Sequence, residues 1–228
     1  MGKILRVDLT TCKISDEKMP GDDVLRKYLG CYGLALRYAY DECPLGMKPT
    51  DPRMPLVFFN GPLTGSHMPG GNNCSASGVN YDTGFTAARS HTHGWFGVRL
   101  TFAGYDGIII KGRADKPVYR WVHDDTAEIR DASKIWGKDT HESEDLVKED
   151  IGKKDVSVAA IGPSGENLCA GAMIENDKNH AFSHSGLGSV MGSKNLKAVA
   201  VSGNKKFPSA NPKREQEIAN EYRKMQDW

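Results

Sequence analysis

The sequence predicts an internally duplicated α+β fold, a pseudo-twofold domain of β-hairpins and sheets flanked by helices. Three observations lead there. One order of elements occurs twice along the chain. Two Gly-Pro turns, Gly61-Pro62 and Gly162-Pro163, lie 101 residues apart, and 18 of the 25 glycines fall in two stretches, Gly61 to Gly112 and Gly162 to Gly203. Hairpins beside helices, without strict strand–helix–strand alternation, favour α+β. Duplication is the economical source of a repeated order.

The first half opens with Ile4 to Leu9, which alternates apolar and polar residues, breaks at Thr10-Thr11 and resumes through Lys13-Ile14-Ser15. That pattern is a β-hairpin. Asp22 or Asp23 then caps a helix from Val24 to about Tyr40, with Val24, Tyr28, Leu29 and Leu36 along one side. Pro44 to Pro55 is a loop rich in proline and glycine. Leu56 to Phe59 is a short buried strand ending in the turn Asn60-Gly61-Pro62-Leu63-Thr64-Gly65. A glycine- and histidine-rich loop follows, then a short helix over Phe96 to Ala103 and a strand over Ile108 to Gly112.

The second half repeats the order. Val118 to Val122 turns at Asp124-Asp125 and returns through Ala127 to Arg130. A helix over about Thr140 to Ile151 and a strand over Val156 to Ile161 lead to Gly162-Pro163-Ser164-Gly165. A second glycine- and histidine-rich loop, a short helix over Gly188 to Lys194 and a strand over Ala198 to Gly203 close it. One domain over 1–206 is expected, in repeats of about 1–112 and 113–206. Residues 207–228 read as a linker and the first turns of a helix still running at Trp228. A chain ending inside a helix straight after a linker reads as a fragment or as one half of a split protein.

Composition narrows the function. The chain has 228 residues, and 30 Lys and Arg balance 29 Asp and Glu, which argues against a nucleic-acid or anionic-membrane partner. No run of about 18 apolar residues offers a membrane span, and the alternating start is not a signal peptide. Five cysteines without a Cys-x2-Cys pair fit a reducing, cytoplasmic setting.

The two loops carry the candidate chemistry. Gly65 to Gly97 and Asn176 to Gly192 hold amides, hydroxyls and imidazoles with few carboxylates, and five of the seven histidines lie in the two glycine-rich stretches. Backbone N–H groups at helix starts, with such donors, suit phosphate or another polyanion. Neither a Walker lysine nor a GxGxxG fingerprint is present. Zinc is the competing reading, because His91-x-His93 with His180-x3-His184 offers four nitrogens; a small zinc hydrolase would follow. Cys74 and Cys169 read as inert thiols, and Asp106, Asp177 and Lys194 as capping or pairing groups. No residue is assigned as a catalytic acid or base.

Several blocks resemble one family. They are Asn60 to Gly65; Phe102-Ala103-Gly104-Tyr105-Asp106; Glu128 to Lys138; Ala160 to Leu168; and Met191-Gly192-Ser193-Lys194-Asn195-Leu196-Lys197-Ala198. Over about residues 3 to 206 the chain is similar to the N-terminal domain of the tungsten-containing aldehyde:ferredoxin oxidoreductases. The resemblance implies a duplicated α+β base whose two loops cradle tungstopterin, a bis-molybdopterin cofactor with tungsten or molybdenum. It implies a magnesium ion bridging the pterin phosphates at the positions of His91 and Ala181. The cofactor contacts it implies are Asn73, His91, Thr92, His93, Gly94, His180, Ala181, His184, Ser185 and Gly186. The family's arginines are matched by Asn73, His180 and His184, which give weaker phosphate contacts than a guanidinium fork. The family's [4Fe–4S] cluster would have no ligands here, since the chain has no Cys-x2-Cys-x3-Cys run.

The implied function is the cofactor base of an enzyme that oxidises a small aldehyde to a carboxylic acid. Ferredoxin or an iron–sulfur electron-transfer subunit takes the electrons, and further C-terminal domains or a partner chain complete the catalyst. The alternative is a truncated or degenerate module that binds a phosphorylated ligand without catalysis.

Overall fold

A computed structural model describes residues 2–43 and 45–225. Its first half is built from β1 (Lys3–Asp8), β2 (Lys13–Lys18), α1 (Asp22–Tyr28), α2 (Cys31–Glu42), β3 (Leu56–Asn60), β4 (Cys74–Val79), β5 (Ala87–Thr92), α3 (Phe96–Phe102) and β6 (Tyr105–Lys111). Its second half has β7 (Val118–His123), β8 (Thr126–Asp131), α4 (Thr140–Ile151), β9 (Ser157–Ala160), α5 (Pro163–Glu166), β10 (Ile174–Asn176), β11 (His180–Phe182), α6 (Leu187–Ser193) and β12 (Leu196–Ser202), and α7 (Pro212–Lys224) follows.

Each half forms a six-stranded sheet, ordered β2-β1-β6-β3-β4-β5 and β8-β7-β12-β9-β10-β11. The two orders are one topology. In both, the hairpin's first strand pairs in parallel with the half's last strand. All other neighbours are antiparallel. Both parallel ladders also slip at the same place, bulging at Asp106 in β6 and at Lys197 in β12. The duplicated α+β class expected from the element order is therefore the fold observed.

Alternation along the strands explains the layers, because successive side chains point to opposite faces. Leu5, Val7, Leu56, Phe58, Ile108 and Ile110 of the first sheet join Val118, Val122, Val199 and Val201 of the second in one core. The opposite faces bury Ile4, Val57, Phe59 and Ile109 against α2, and Tyr119, Trp121, Val158 and Ala200 against α4. The short helices cross over: α3 packs on β9 and β12 of the second sheet, and α6 on β3 and β4 of the first. Each half thus completes the other's core, and each fully buried Ile, Leu or Phe contributes about 1.5–3 kcal/mol.

Three local expectations need correction. The helix expected over Val24 to Tyr40 is two helices, because Leu29 takes φ 61° and Gly30 follows. Leu29 is consequently exposed, and Leu34, Ala35 and Ala39 form the buried face. The stretch from Gly65 to Gly97 contains β4 and β5, and the Gly162 to Gly165 turn opens α5. The linker to α7 is irregular, but the expected passage of that helix through Trp228 falls outside the described residues, as does the loop's start at Pro44.

Candidate functional site

The outer strands β5 and β11, one from each sheet, lie side by side. This seam holds most of the residues singled out in the sequence. The His184 amide donates to Ser90 Oγ at 3.2 Å, and the Arg89 amide to Ser185 Oγ at 3.3 Å. Ser185 takes φ 73°, and its carbonyl accepts from the Tyr81 amide at 3.0 Å. One turn further, Thr92 Oγ1 donates to Asn176 Oδ1 at 2.5 Å, while Asn176 Nδ2 donates to the His93 carbonyl at 3.1 Å. The Trp95 amide donates to Asp177 Oδ2 at 2.9 Å.

Alternation in β5 sorts its residues. Ala88, Ser90 and Thr92 are buried in the seam, whereas Ala87, Arg89, His91 and the following His93 face outward. His180, Ser183 and His184 are exposed on the facing segment, with Ala181 and Ser185 half-buried. Gly94 has φ 82°, and a Cβ there would lie 2.7 Å from the His180 ring, so the two loops close on each other at that point. Gly186 opens α6 at φ 60°, where a Cβ would lie 2.7 Å from Tyr81 Cβ. Asn73 stands farther along. Its Nδ2 donates to the Gly70 carbonyl at 2.8 Å, and it lines a cleft together with His91.

The electrostatics suit an anion. Partial burial lowers the His91 pKa below the ordinary imidazole value, and the nearby His93, His184 and Arg89 push the same way. Asp177, the carboxylate within the seam, is engaged on both oxygens, by Trp95 and by Ser157 Oγ at 2.6 Å. The outward face therefore offers a guanidinium, four imidazoles and hydroxyls around a close backbone approach. That donor set fits a phosphate-bearing group. It does not fit zinc, because among the described residues no three His, Cys, Asp or Glu side chains converge to hold a metal ion.

The remaining candidates have structural work. Cys74 is buried, which raises its thiol pKa well above the ordinary value, and Cys169 is exposed. Asp106 Oδ2 accepts from the Gly2 amide at 2.6 Å, and Lys194 is buried against backbone carbonyls. Sequence reasoning missed Arg89, Asn176 and Tyr32, whose hydroxyl bonds His91 Nδ1. The alternation Ala87, Arg89, His91, His93 is the signal that could have found Arg89; nothing local marks Tyr32, which α2 brings from 59 residues away. Among the described residues no helix is long and apolar enough to cross a membrane.

The chain is similar to known proteins. The N-terminal domain of aldehyde ferredoxin oxidoreductase matches residues 4–203. The tungsten-containing aldehyde ferredoxin oxidoreductase of Pyrococcus abyssi is 42% identical over 220 residues, which cover 96% of this chain and 36% of that protein. The aliphatic sulfonate oxidoreductase, WOR-like subunit, of Pyrococcus furiosus is 36% identical over 234 residues, covering 95% and 36%. Among solved structures, the active site complex BamBC of benzoyl coenzyme A reductase, in complex with 1,5-dienoyl-CoA, matches with a TM-score of 0.92 at 35% identity. That match covers 96% of this chain and 33% of the other. The chain spans about a third of the length of these relatives.

Proposed function

The chain belongs to the aldehyde ferredoxin oxidoreductase family, whose N-terminal domain it carries, and from that premise we propose that it is the base on which a bis-pterin tungsten or molybdenum cofactor sits. The observation that supports the reading is the seam itself, where two equivalent edge strands turn imidazoles, hydroxyls and a guanidinium to one outward face. A twofold-related pair of loops is matched to a cofactor with two similar pterin halves.

When bound, such a cofactor supplies the two-electron oxidation of an aldehyde and water to a carboxylic acid. This chain's residues bind and orient it. Gly94 and Gly186 let the backbone approach closely, because no Cβ intervenes. His180 and His184, exposed on the facing segment, would donate to phosphate oxygens. Carbonyls at His91 and Ala181 would hold a magnesium ion, a hard cation that prefers oxygen ligands. Acid–base chemistry at the substrate, a [4Fe–4S] cluster and contact with ferredoxin or an iron–sulfur subunit would have to be supplied from outside this chain. The names of the relatives include an aldehyde, an aliphatic sulfonate and benzoyl coenzyme A. The scaffold therefore hosts more than one substrate, and the proposed aldehyde rests on the closer identity.

The test is metal content. The protein, isolated anaerobically from the organism that makes it, should contain tungsten or molybdenum at about one per chain, with organic phosphate in proportion. Gly94→Val, which drives a branched side chain into His180, should empty it. A protein with a full complement of zinc and neither tungsten nor molybdenum would overturn the reading, and so would a metal-free protein.

A further inference from the structure

β7 turns Val118, Arg120 and Val122 to one face, and the two valines belong to the core that the two sheets share. The Arg120 side chain therefore enters the layer between the sheets, beside Ile129 of β8 and Val199 of β12. It is 0% exposed, and none of its three guanidinium nitrogens has a hydrogen-bond partner among the described residues. Burial pulls its pKa down, but only to about 10, so the group is charged at neutral pH. A buried guanidinium with neither an acceptor nor a contacting counter-charge is among the costliest arrangements a core can hold.

The neighbouring polar groups, Tyr105, Glu128 and Cys12, act on it through space without a hydrogen bond. Burial and Asp16 push the Tyr105 pKa up to about 12, and its hydroxyl is committed to Asp16 Oδ1 at 3.1 Å and the Asp125 carbonyl at 2.9 Å. Glu128 is held by His123 at 3.0 Å and Arg130 at 2.9 Å, and Cys12 is exposed in the turn after β1. Nor does the fold require an arginine. β1 pairs with β6 in the same register as β7 with β12, so Leu5, opposite Ile108, stands where Arg120 stands opposite Val199. Leu5 is fully buried in the same core. One half of the duplication fills this position with an aliphatic side chain, and the other places a cation there.

We propose that the layer between the sheets holds a small monovalent anion, of the chloride class, against the Arg120 guanidinium. One negative charge neutralises the group, and its fork of N–H donors can share a single halide. A phosphate dianion would instead leave a net charge buried in the core. The site lies next to the β8 edge, with β12, β9 and β10 between it and the seam strand β11, so it stands apart from the cofactor reading.

Chloride titrated into the full-length protein tests it, with gluconate holding the ionic strength constant. Above half-occupancy, each tenfold rise in chloride should raise the folding equilibrium constant of wild type about 10-fold in urea melts. Bromide should substitute for chloride. Arg120→Leu, which puts the first half's residue at this position, should fold and lose the chloride response. Wild-type crystals grown in bromide should show its anomalous signal in contact with the guanidinium nitrogens, a readout that decides the matter even where Arg120→Leu does not fold. Equal melts in chloride and gluconate, or water alone at the guanidinium in the bromide crystals, would overturn the site. So would an Arg120→Leu protein that keeps the wild-type chloride response, since the anion would then bind elsewhere.

Discussion

Two lysines, three residues apart, show how environment separates like side chains. Lys194 and Lys197 are both fully buried. Among the described residues, Lys194 Nζ hydrogen-bonds only to carbonyls, Pro52 at 3.1 Å and Gly112 at 3.4 Å, and burial pulls its pKa down to about 7. Between pH 7 and the unfolded value of 10.5 the unfolded chain therefore binds the extra proton, so folding stability rises with pH across that window. It is flat above the window, and the full penalty remains below it. The slope for one proton approaches about 1.4 kcal/mol per pH unit. Urea melts at pH 7.5 and 9.5 should show wild type gaining stability at the higher pH, and Lys194→Met losing about one proton's worth of that gain. Lys197 instead meets Glu166 at 2.5 Å and the carbonyls of Ile161 and Lys138 at 2.7 and 2.8 Å. Lys197→Met strands the buried Glu166 carboxylate and should cost about 3–5 kcal/mol. A Lys197→Met protein as stable as Lys194→Met would show that the ion pair carries no more than the carbonyl contacts.

Helices α5 and α6 meet through glycine. A Cβ on Gly192 would lie 2.0 Å from the Gly165 carbonyl oxygen, and one on Gly165 2.9 Å from that of Gly188. These obstacles are backbone, which cannot swing aside as a side chain does. Gly192→Ala should therefore cost about 3 kcal/mol or more. Ser189→Ala, on the same helix, loses one hydrogen bond to the Cys169 carbonyl and should cost about 1 kcal/mol. Calorimetric melts of the two variants separate these outcomes, and equal losses would mean that the helices part without strain. Close approach also decided what the sequence concealed. The hairpins, β3, β9, α4 and β12 announce themselves because their apolar residues are large and regularly spaced. β4 and β5 read Cys-Ser-Ala-Ser-Gly-Val and Ala-Ala-Arg-Ser-His-Thr, whose small side chains give almost no hydrophobic period. β4 is small where α2 packs over it, so the feature that builds this region removes its signal. The histidines were visible as a group for the opposite reason: they are large, polar and repeated. Their alignment along one edge was not visible, since it depends on two strands from different halves meeting.

At the scale of the whole molecule, that meeting decides how the halves communicate. The edges β5 and β11 cover each other, while the opposite edges are β2 and β8; β2, reading Lys-Ile-Ser-Asp-Glu-Lys, is protected by charge rather than by a neighbour. Beyond the shared core, the seam is fastened by Asn176 and Asp177, which serve Thr92, the His93 carbonyl and the Trp95 amide. Replacing both by alanine removes the partners of the buried Thr92 and Ser157 hydroxyls, at about 1–3 kcal/mol each. The resulting loss of about 2–6 kcal/mol should fall unevenly. Local opening follows the weakest cooperative unit, so hydrogen exchange should accelerate in β5 and β11 while the β1–β2 and β7–β8 hairpins, pinned by the undisturbed core, keep their protection. A group bound across the seam stabilises only the closed arrangement, by an amount set by its occupancy. If the seam holds the proposed cofactor, the double variant should lose it before it loses its fold, with metal content falling at temperatures where the circular dichroism of the sheets is unchanged. Uniform loss of protection across all twelve strands would show instead that the two sheets and their seam open as one unit.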